Sequence, residues 1–275
     1  MTSRDDFTPN GLVTLTTDFG TRDAYVGAMK GVLLSIAPTI GIHDIAHEIE
    51  PQSIEHGATV LRGACPWFPS GTVHVAVIDP GVGTERARVV IVAGGHAFVG
   101  PDNGLFGPVV GRLGGIHAAY RIERSGPLAH HLPRSRSSTF DGRDLFCPVA
   151  AVLASGLLAP SAVGRRHDLV QLPGTEPQRV PGGIEGQIAY YDHFGNAITN
   201  VPVQMLADIG ARERIVRLPG GRDAVLRETY GDAAPGEILA VVGSEGFVEI
   251  AVRDGSARAT LALATGTAIR IEAAS

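Results

Sequence analysis

Acidic side chains set in glycine-rich turns are the groups of this sequence best suited to chemistry. The segment Asp79-Pro-Gly-Val-Gly-Thr-Glu-Arg86 directly follows the apolar run Thr72 to Ile78. Its glycines let the backbone turn sharply and approach a ligand closely. Arg86, seven residues beyond Asp79, can fold back to form a charge pair with it. On spacing alone, such a pair serves as a structural clamp on a tight turn at least as readily as it serves a reaction. A phosphate loop is the wrong reading, because neither the Walker lysine nor a following helix is present.

Other carboxylates recur in similar settings. Thr139-Phe-Asp-Gly-Arg-Asp144 brings two of them and an arginine to the start of a helical pattern, where capping of the first N–H groups is a competing purpose. Asp192-His-Phe-Gly-Asn196 reads by itself as hairpin chemistry. Asp18, Asp44, Asp79 and the turn Asp102-Asn103 all end apolar runs. One Asp there is an ordinary turn residue. Several at the strand ends of one sheet predict a polar site, since ligands of open α/β sheets bind beyond the carboxyl ends of the strands. His43, His47, His56 and His74 are scattered and read as structural, so no metal site is expected. No Gly-x-Ser-x-Gly elbow exists.

The elements that would position these groups follow from periodicity. Leu12–Thr16, Ile40–Ile45 and Thr72–Ile78 are strand candidates, and Arg88–Ala93 with Ala97–Val99 flank Gly94-Gly95 as a hairpin. Val26, Met29, Leu33 and Ile36 recur at helical spacing before Pro38. Ser53 is placed to cap a helix carrying Ile54, Ala58, Leu61 and Cys65, and a further helix covers about Leu145 to Ser155. Strands alternating with helices imply an α/β unit built on a mostly parallel sheet. Residues 156–183 read as loop. Beyond them lie short β-prone runs, Gln187–Tyr191, Ile215–Leu218, Ile238–Val242, Phe247–Val252 and Ala268–Ile271, which fit a small antiparallel sandwich or barrel. The expected division is therefore 1–180 and 181–275.

Composition bounds the rest. The 275 residues are 44% hydrophobic and 19% charged, which excludes intrinsic disorder. A net charge of −5 without a basic run argues against nucleic acid as partner. No apolar stretch reaches membrane-spanning length, and the start MTSRDDFTPN lacks a signal-peptide core. Two cysteines, Cys65 and Cys147, make no disulfide framework. A cytoplasmic protein with reduced thiols, without membrane partner, is expected.

Leu15-Thr-Thr-Asp-Phe-Gly20, Asp79-Pro-Gly-Val-Gly-Thr, Gly100-Pro-Asp-Asn-Gly-Leu105, Thr139-Phe-Asp-Gly-Arg-Asp144, Asp192-His-Phe-Gly-Asn196 with Ile198-Thr-Asn200, and Gly243-Ser244 ahead of Gly246 stand in one order along nearly the whole chain. Together they resemble the S-adenosyl-L-methionine (SAM) hydrolases that form adenosine, relatives of the SAM-dependent fluorinase and chlorinase. The resemblance implies a Rossmann-like N-terminal domain, a smaller C-terminal β-barrel, and a homotrimer that holds its ligand between one subunit's N-terminal domain and a neighbour's C-terminal domain. It implies hydrolysis of SAM to adenosine and L-methionine by water attacking C5′, with no cofactor. Asp18 would bind the ribose hydroxyls and Asn196 the adenine edge, while Asp23, Asp192 and Ser244 would hold the methionine end. Asn103 joins this substrate-binding set. Asp79 and Arg86 would align the water.

Two departures from the family pattern stand out. Asp141 takes the place of a histidine expected as the third catalytic member, and a carboxylate of pKa about 3.9 is a weaker base than imidazole. Asp79 and Asp141 placed together would repel and raise one pKa, while Arg86 between them would counter that shift. Glu245 stands where the halogenases carry an arginine near the methionine carboxylate. Asp79 replaces an aromatic residue of the halogenases and so favours water over halide. The alternatives are a SAM- or adenosine-binding protein with little or no turnover, a SAM-dependent halogenase, and a metal-dependent phosphatase using the strand-end aspartates.

Overall fold

The computed structural model describes residues 7–135, 137–170, 176–210 and 213–274. The first six residues of the polar start, and residues 171–175 of the expected loop, lie outside them. The chain divides into two compact units, Met1–Leu172 and Pro173–Ser275, each with its own apolar core.

In the first unit the continuous apolar runs become buried strands. β1 (Leu12–Thr17) leads into α1 (Tyr25–Ile36), β2 (Gly41–Ala46) and α2 (Ile54–Ala64). α1 buries Val26, Met29 and Leu33 and ends before Pro38, whose ring disfavours helix in the residue ahead of it. Ser53 caps α2, its hydroxyl accepting from the His56 amide at 3.4 Å. β3 (Val73–Val77) is buried along its whole length. β4 (Arg88–Ala93) and β5 (His96–Pro101) form the expected hairpin, with Gly94 and Gly95 at φ +56° and +80°. Positive φ at both turn residues matches the twist of the flanking strands. α3 (Gly107–Arg112), β6 (Ala118–Ile122), α4 (Cys147–Ala154) and β7 (Gly164–Arg166) follow.

The sheet order is β2-β1-β3-β5-β4-β6-β7, with β2, β1, β3 and β5 parallel and β4 and β7 running against their neighbours. Alternating side chains serve two layers. Val13, Val75 and Val90 pack with α1 and α4, whereas Ala76, Ile78 and Ile91 pack with α2 and α3. Because β1 and β3 are parallel neighbours, their carboxyl ends deliver Asp18 and Asp79 to the same edge. Ahead of α4, Gly142–Phe146 wind as a π-helical turn, and the Cys147 amide reaches back to the Gly142 carbonyl. The helix expected from Leu145 is therefore α-helical only from Cys147.

The second unit comprises β8 (Gln178–Val180), β9 (Gly183–Tyr191), β10 (Ala197–Pro202), β11 (Arg214–Leu218), β12 (Arg222–Leu226), β13 (Ile238–Val242), β14 (Phe247–Val252), α5 (Ala257–Leu261) and β15 (Ala268–Ala273). β9 pairs with both β10 and β15, which closes seven strands into a barrel, and β8 is added outside on β9. Ile184, Ile188, Val216, Ile250 and Ile271 fill it. A barrel, rather than the sandwich also open from sequence, is what forms. Residues 156–183 are not all loop, since β7 and β8 occupy part of them. Each is three residues long and polar, and exists through its pairing with β6 or β9. Both cysteines are buried free thiols, and no helix of the described residues is long and apolar enough to cross a membrane.

Candidate active site

Two overlapping turns after β3 fold the chain back on itself. The Val82 amide donates to the Asp79 carbonyl at 3.2 Å, and the Thr84 amide to the Gly81 carbonyl at 3.1 Å. Gly83 sits at φ +82°, a region costly for any residue with a Cβ. This reversal brings Arg86 onto Asp79 as the sequence predicts. Nε donates to Oδ1 at 2.7 Å, and Nη2 donates to Oδ2. The side chains are 4% and 9% exposed for Asp79 and Arg86, so the pair is a buried, bidentate one of the strong kind.

Asp141 completes the cluster. It opens the π-helical turn but makes no capping hydrogen bond, so the capping purpose open from sequence does not apply to it. Its Oδ2 instead accepts from Arg86 Nη2 and Arg88 Nε, both at 2.8 Å, and its Oδ1 from Arg124 Nη2 at 3.2 Å. Burial opposes the charge of Arg86, but its hydrogen bonds and charge pairing with Asp79 and Asp141 outweigh that and raise its pKa. The Arg86 guanidinium also lies 5.7 Å from the Phe146 ring centroid. Its Nη1 is buried without an acceptor, a donor left over once both carboxylates are served.

A cavity of about 720 Å³ opens beside this cluster, lined by Asp18, Asp79, Phe140 and Asp141 among others. Asp18 lies at the end of β1, and its Oδ2 accepts from the Gln52 amide at 2.8 Å. Gln52 holds a left-handed backbone, φ +66°, to present that N–H. Phe19, Tyr25 and Phe140 pack in tilted and edge-to-face contacts with centroids 5.4–5.8 Å apart, giving the cavity an aromatic wall. The neighbouring Asp144 is engaged by Arg143 at 2.6 and 2.9 Å and by the Ser137 amide at 2.6 Å. Burial pushes its carboxyl up, yet these donors more than compensate and leave it below the ordinary range.

The remaining residues singled out in the sequence lie elsewhere. Asp44 pairs with Lys30 at 2.6 Å. Asp102 accepts from the Val170 amide and pairs with His167 at 2.7 Å. Asn103 donates to the Ile78 carbonyl at 2.9 Å and accepts from the Leu105 amide at 3.2 Å, bracing the end of β3. Asp23 is exposed just before α1. Asp44, Asp102, Asn103 and Asp23 are not among the residues lining the cavity. In the barrel unit, Asp192 Oδ1 accepts from the Asn196 amide at 2.8 Å and Oδ2 from its side chain at 3.0 Å. Asp192 and Ser244 line a small pocket of about 90 Å³ with Tyr190, Glu245 and Glu249. Burial raises the Glu249 carboxyl and the charge of Asp192 adds to it, against a hydrogen bond from Tyr230.

Of the histidines singled out in the sequence, His47 and His74 are buried and His43 is exposed. His74 bonds Thr14 at 2.8 Å and His96 at 3.0 Å, and His47 bonds Thr17 at 2.8 Å. Among the described residues no group of His, Cys, Asp and Glu is arranged to hold a metal ion.

Arg88, Arg124 and the aromatic wall are the participants that sequence reasoning missed. Arg88 was findable, standing two residues after Arg86 on the incoming strand. Arg124 carries no local signal, because the pairing of β4 with β6 is what brings it to Asp141.

The SAM hydroxide adenosyltransferase N-terminal domain matches residues 13–164, and the C-terminal domain of the same name matches residues 186–270. The chain belongs to this family. It is 38% identical over 267 residues to the (R)-S-adenosyl-L-methionine hydrolase of Salinispora tropica, covering 96% of this chain and 99% of that one. The enzyme of the same name from Thermus thermophilus is 40% identical over 258 residues, 92% and 96% of the two chains. A fluorinase of an Actinoplanes species is 28% identical, covering 88% and 91%. The crystal structure of an uncharacterized conserved protein from Thermotoga maritima superposes with TM-score 0.85 at 35% identity, covering 94% of this chain and 99% of that one.

Proposed function

We propose that this chain is a hydrolase that converts S-adenosyl-L-methionine to adenosine and L-methionine in the cavity lined by Asp18, Asp79 and Asp141. The observation that carries the reading is the buried Asp79–Arg86 pair at that cavity, in a chain 38–40% identical to two proteins named SAM hydrolase. Water oxygen forms a bond to C5′ as the C5′–sulfur bond breaks, the electron pair leaves on sulfur, and one proton of the water is released to solvent. The leaving group is a neutral thioether, so it needs neither an acid nor a metal to carry it away. The protein's task is to line up the nucleophile, an effect worth up to about 7–11 kcal/mol.

Asp79 suits that task. Arg86 uses one lone pair on each of its oxygens, and each oxygen has a second to accept from a water. Asp18 suits a vicinal diol, as a carboxylate that accepts two charge-assisted hydrogen bonds. Asp23, Asn103, Asp192, Asn196 and Ser244 are assigned to the substrate by family position. The same resemblance supports a cytoplasmic homotrimer in which a neighbour's barrel unit closes the site. Light scattering would give the subunit count, and chromatography of a SAM incubation would give the products. Equal amounts of adenosine and methionine, unchanged by EDTA, support the reading; intact SAM overturns it. Fluoride or chloride should yield no 5′-halogenated nucleoside.

One observation favours a second reading, a SAM- or adenosine-binding protein with slow turnover. Three guanidinium donors engage Asp141, two on Oδ2 and one on Oδ1, so a single lone pair on Oδ1 stands where the family pattern has a basic imidazole. Calorimetry showing tight adenosine binding, with adenosine release appearing only in Asp141→His, selects this reading.

A further inference from the structure

We propose that a second, arginine-lined cavity next to Asp141 binds an oxyanion of the phosphate or carboxylate class. It encloses about 540 Å³ and is bordered by Arg88 at the start of β4, Arg121 in β6, Arg124 just beyond it, Ser137, Ser138 and Asp141. Ser137 and Asp141 form the wall it shares with the cavity assigned to SAM. Three arginines and one aspartate line it, within a chain whose net charge is −5.

The single carboxylate does not use up these donors. Arg88 gives Nε to Asp141 and Nη1 to the Arg86 carbonyl at 3.4 Å, which leaves Nη2 for a ligand. Arg121 makes no side-chain hydrogen bond or ion pair with any described residue. It is half-buried in the sheet and so only partly reached by water. A partly desolvated cation without a counterion is costly, and an oxyanion would remove that cost. The planar fork of arginine matches two oxygens of a phosphate or carboxylate at once, and the serine hydroxyls can donate to a third. The size of the cavity admits a molecule larger than the bare anion.

The test is calorimetric titration of the whole chain with inorganic phosphate and, separately, with succinate, in sodium chloride of matched ionic strength. Saturable binding of one or both is expected, and whichever binds names the source. Arg121→Ala should weaken that binding at least about tenfold, as loss of one charged hydrogen-bonding partner implies. Arg121→Lys keeps the charge without the fork and should fall between. It also preserves the test if the alanine variant does not fold, with circular dichroism checking each. No saturable binding of either oxyanion, an effect reproduced by chloride alone, or equal affinity in the Arg121 variants would overturn the proposal. None of this depends on the hydrolase reading, because no arm measures turnover.

Discussion

Replacing Asp141 by asparagine tests the anchor at the heart of the cluster. The substitution keeps shape and removes charge. In the native protein the 4%-exposed Asp141 side chain accepts three guanidinium hydrogen bonds, from Arg86, Arg88 and Arg124. Asparagine offers one oxygen, and its NH2 would face a guanidinium donor to donor. With that oxygen at the Oδ2 position the Arg86 and Arg88 bonds persist without the charge, and the Arg124 bond is lost at about 1.5–3 kcal/mol. Three arginines also lose the carboxylate they share, and removing one partner of a buried ion pair costs about 3–5 kcal/mol in all. For a unit of this size that lowers Tm by about 6–20 °C. Scanning calorimetry of the first unit's transition reads the loss. Adding Arg124→Leu should recover part of it, because contacting residues couple. A Tm change below about 2 °C, or strict additivity in the double variant, would refute the anchor.

His74 is buried against His96, and burial with that neighbour depresses its pKa from 6.5 to about 3. Its neutral form is therefore favoured by folding, and the stability this gives is present above pH 6.5 and lost as pH falls toward 3, about 2 kcal/mol of it by pH 5. Urea midpoints at pH 7 and 5 would measure it, and the same difference in His74→Gln would count against the assignment. A Cβ on Gly100 would lie 2.3 Å from the Ala76 carbonyl of the paired strand, so Gly100→Ala should cost about 1–3 kcal/mol in denaturant unfolding; a neutral result would show that β3 and β5 can part. Asp79→Asn should lower adenosine formation about 10²- to 10³-fold while adenosine affinity holds, and unaltered turnover would remove Asp79 from the mechanism.

Much of the architecture was legible because apolar periodicity and punctuation agree in this chain. Pro38 ends a helix, Ser53 begins one, and Gly94-Gly95 turn a hairpin where the sequence places each. The short helices α3 and α5 escaped, as did strands that exist only through pairing. β10 and β12 mix polar with apolar residues, and β7 and β8 are short edges. The site divides in the same way. Asp79 and Arg86 are seven residues apart, so one turn explains their meeting. Of the strand-end aspartates, Asp18 and Asp79 reach the cavity while Asp44 and Asp102 are claimed by Lys30 and His167. Long-range neighbours decide that, and no local spacing records them.

The wide turn at Gly142–Phe146 carries one residue more than a regular helix needs before the Cys147 amide finds its acceptor. Excising a single residue there would restore ordinary winding, but it would swing everything upstream by about 100° around the axis. Asp141 would then leave its arginines, and Phe140 its aromatic neighbours. The helix could become more regular and the cluster would still come apart, so this surplus residue acts as a spacer whose removal favours local order over chemistry.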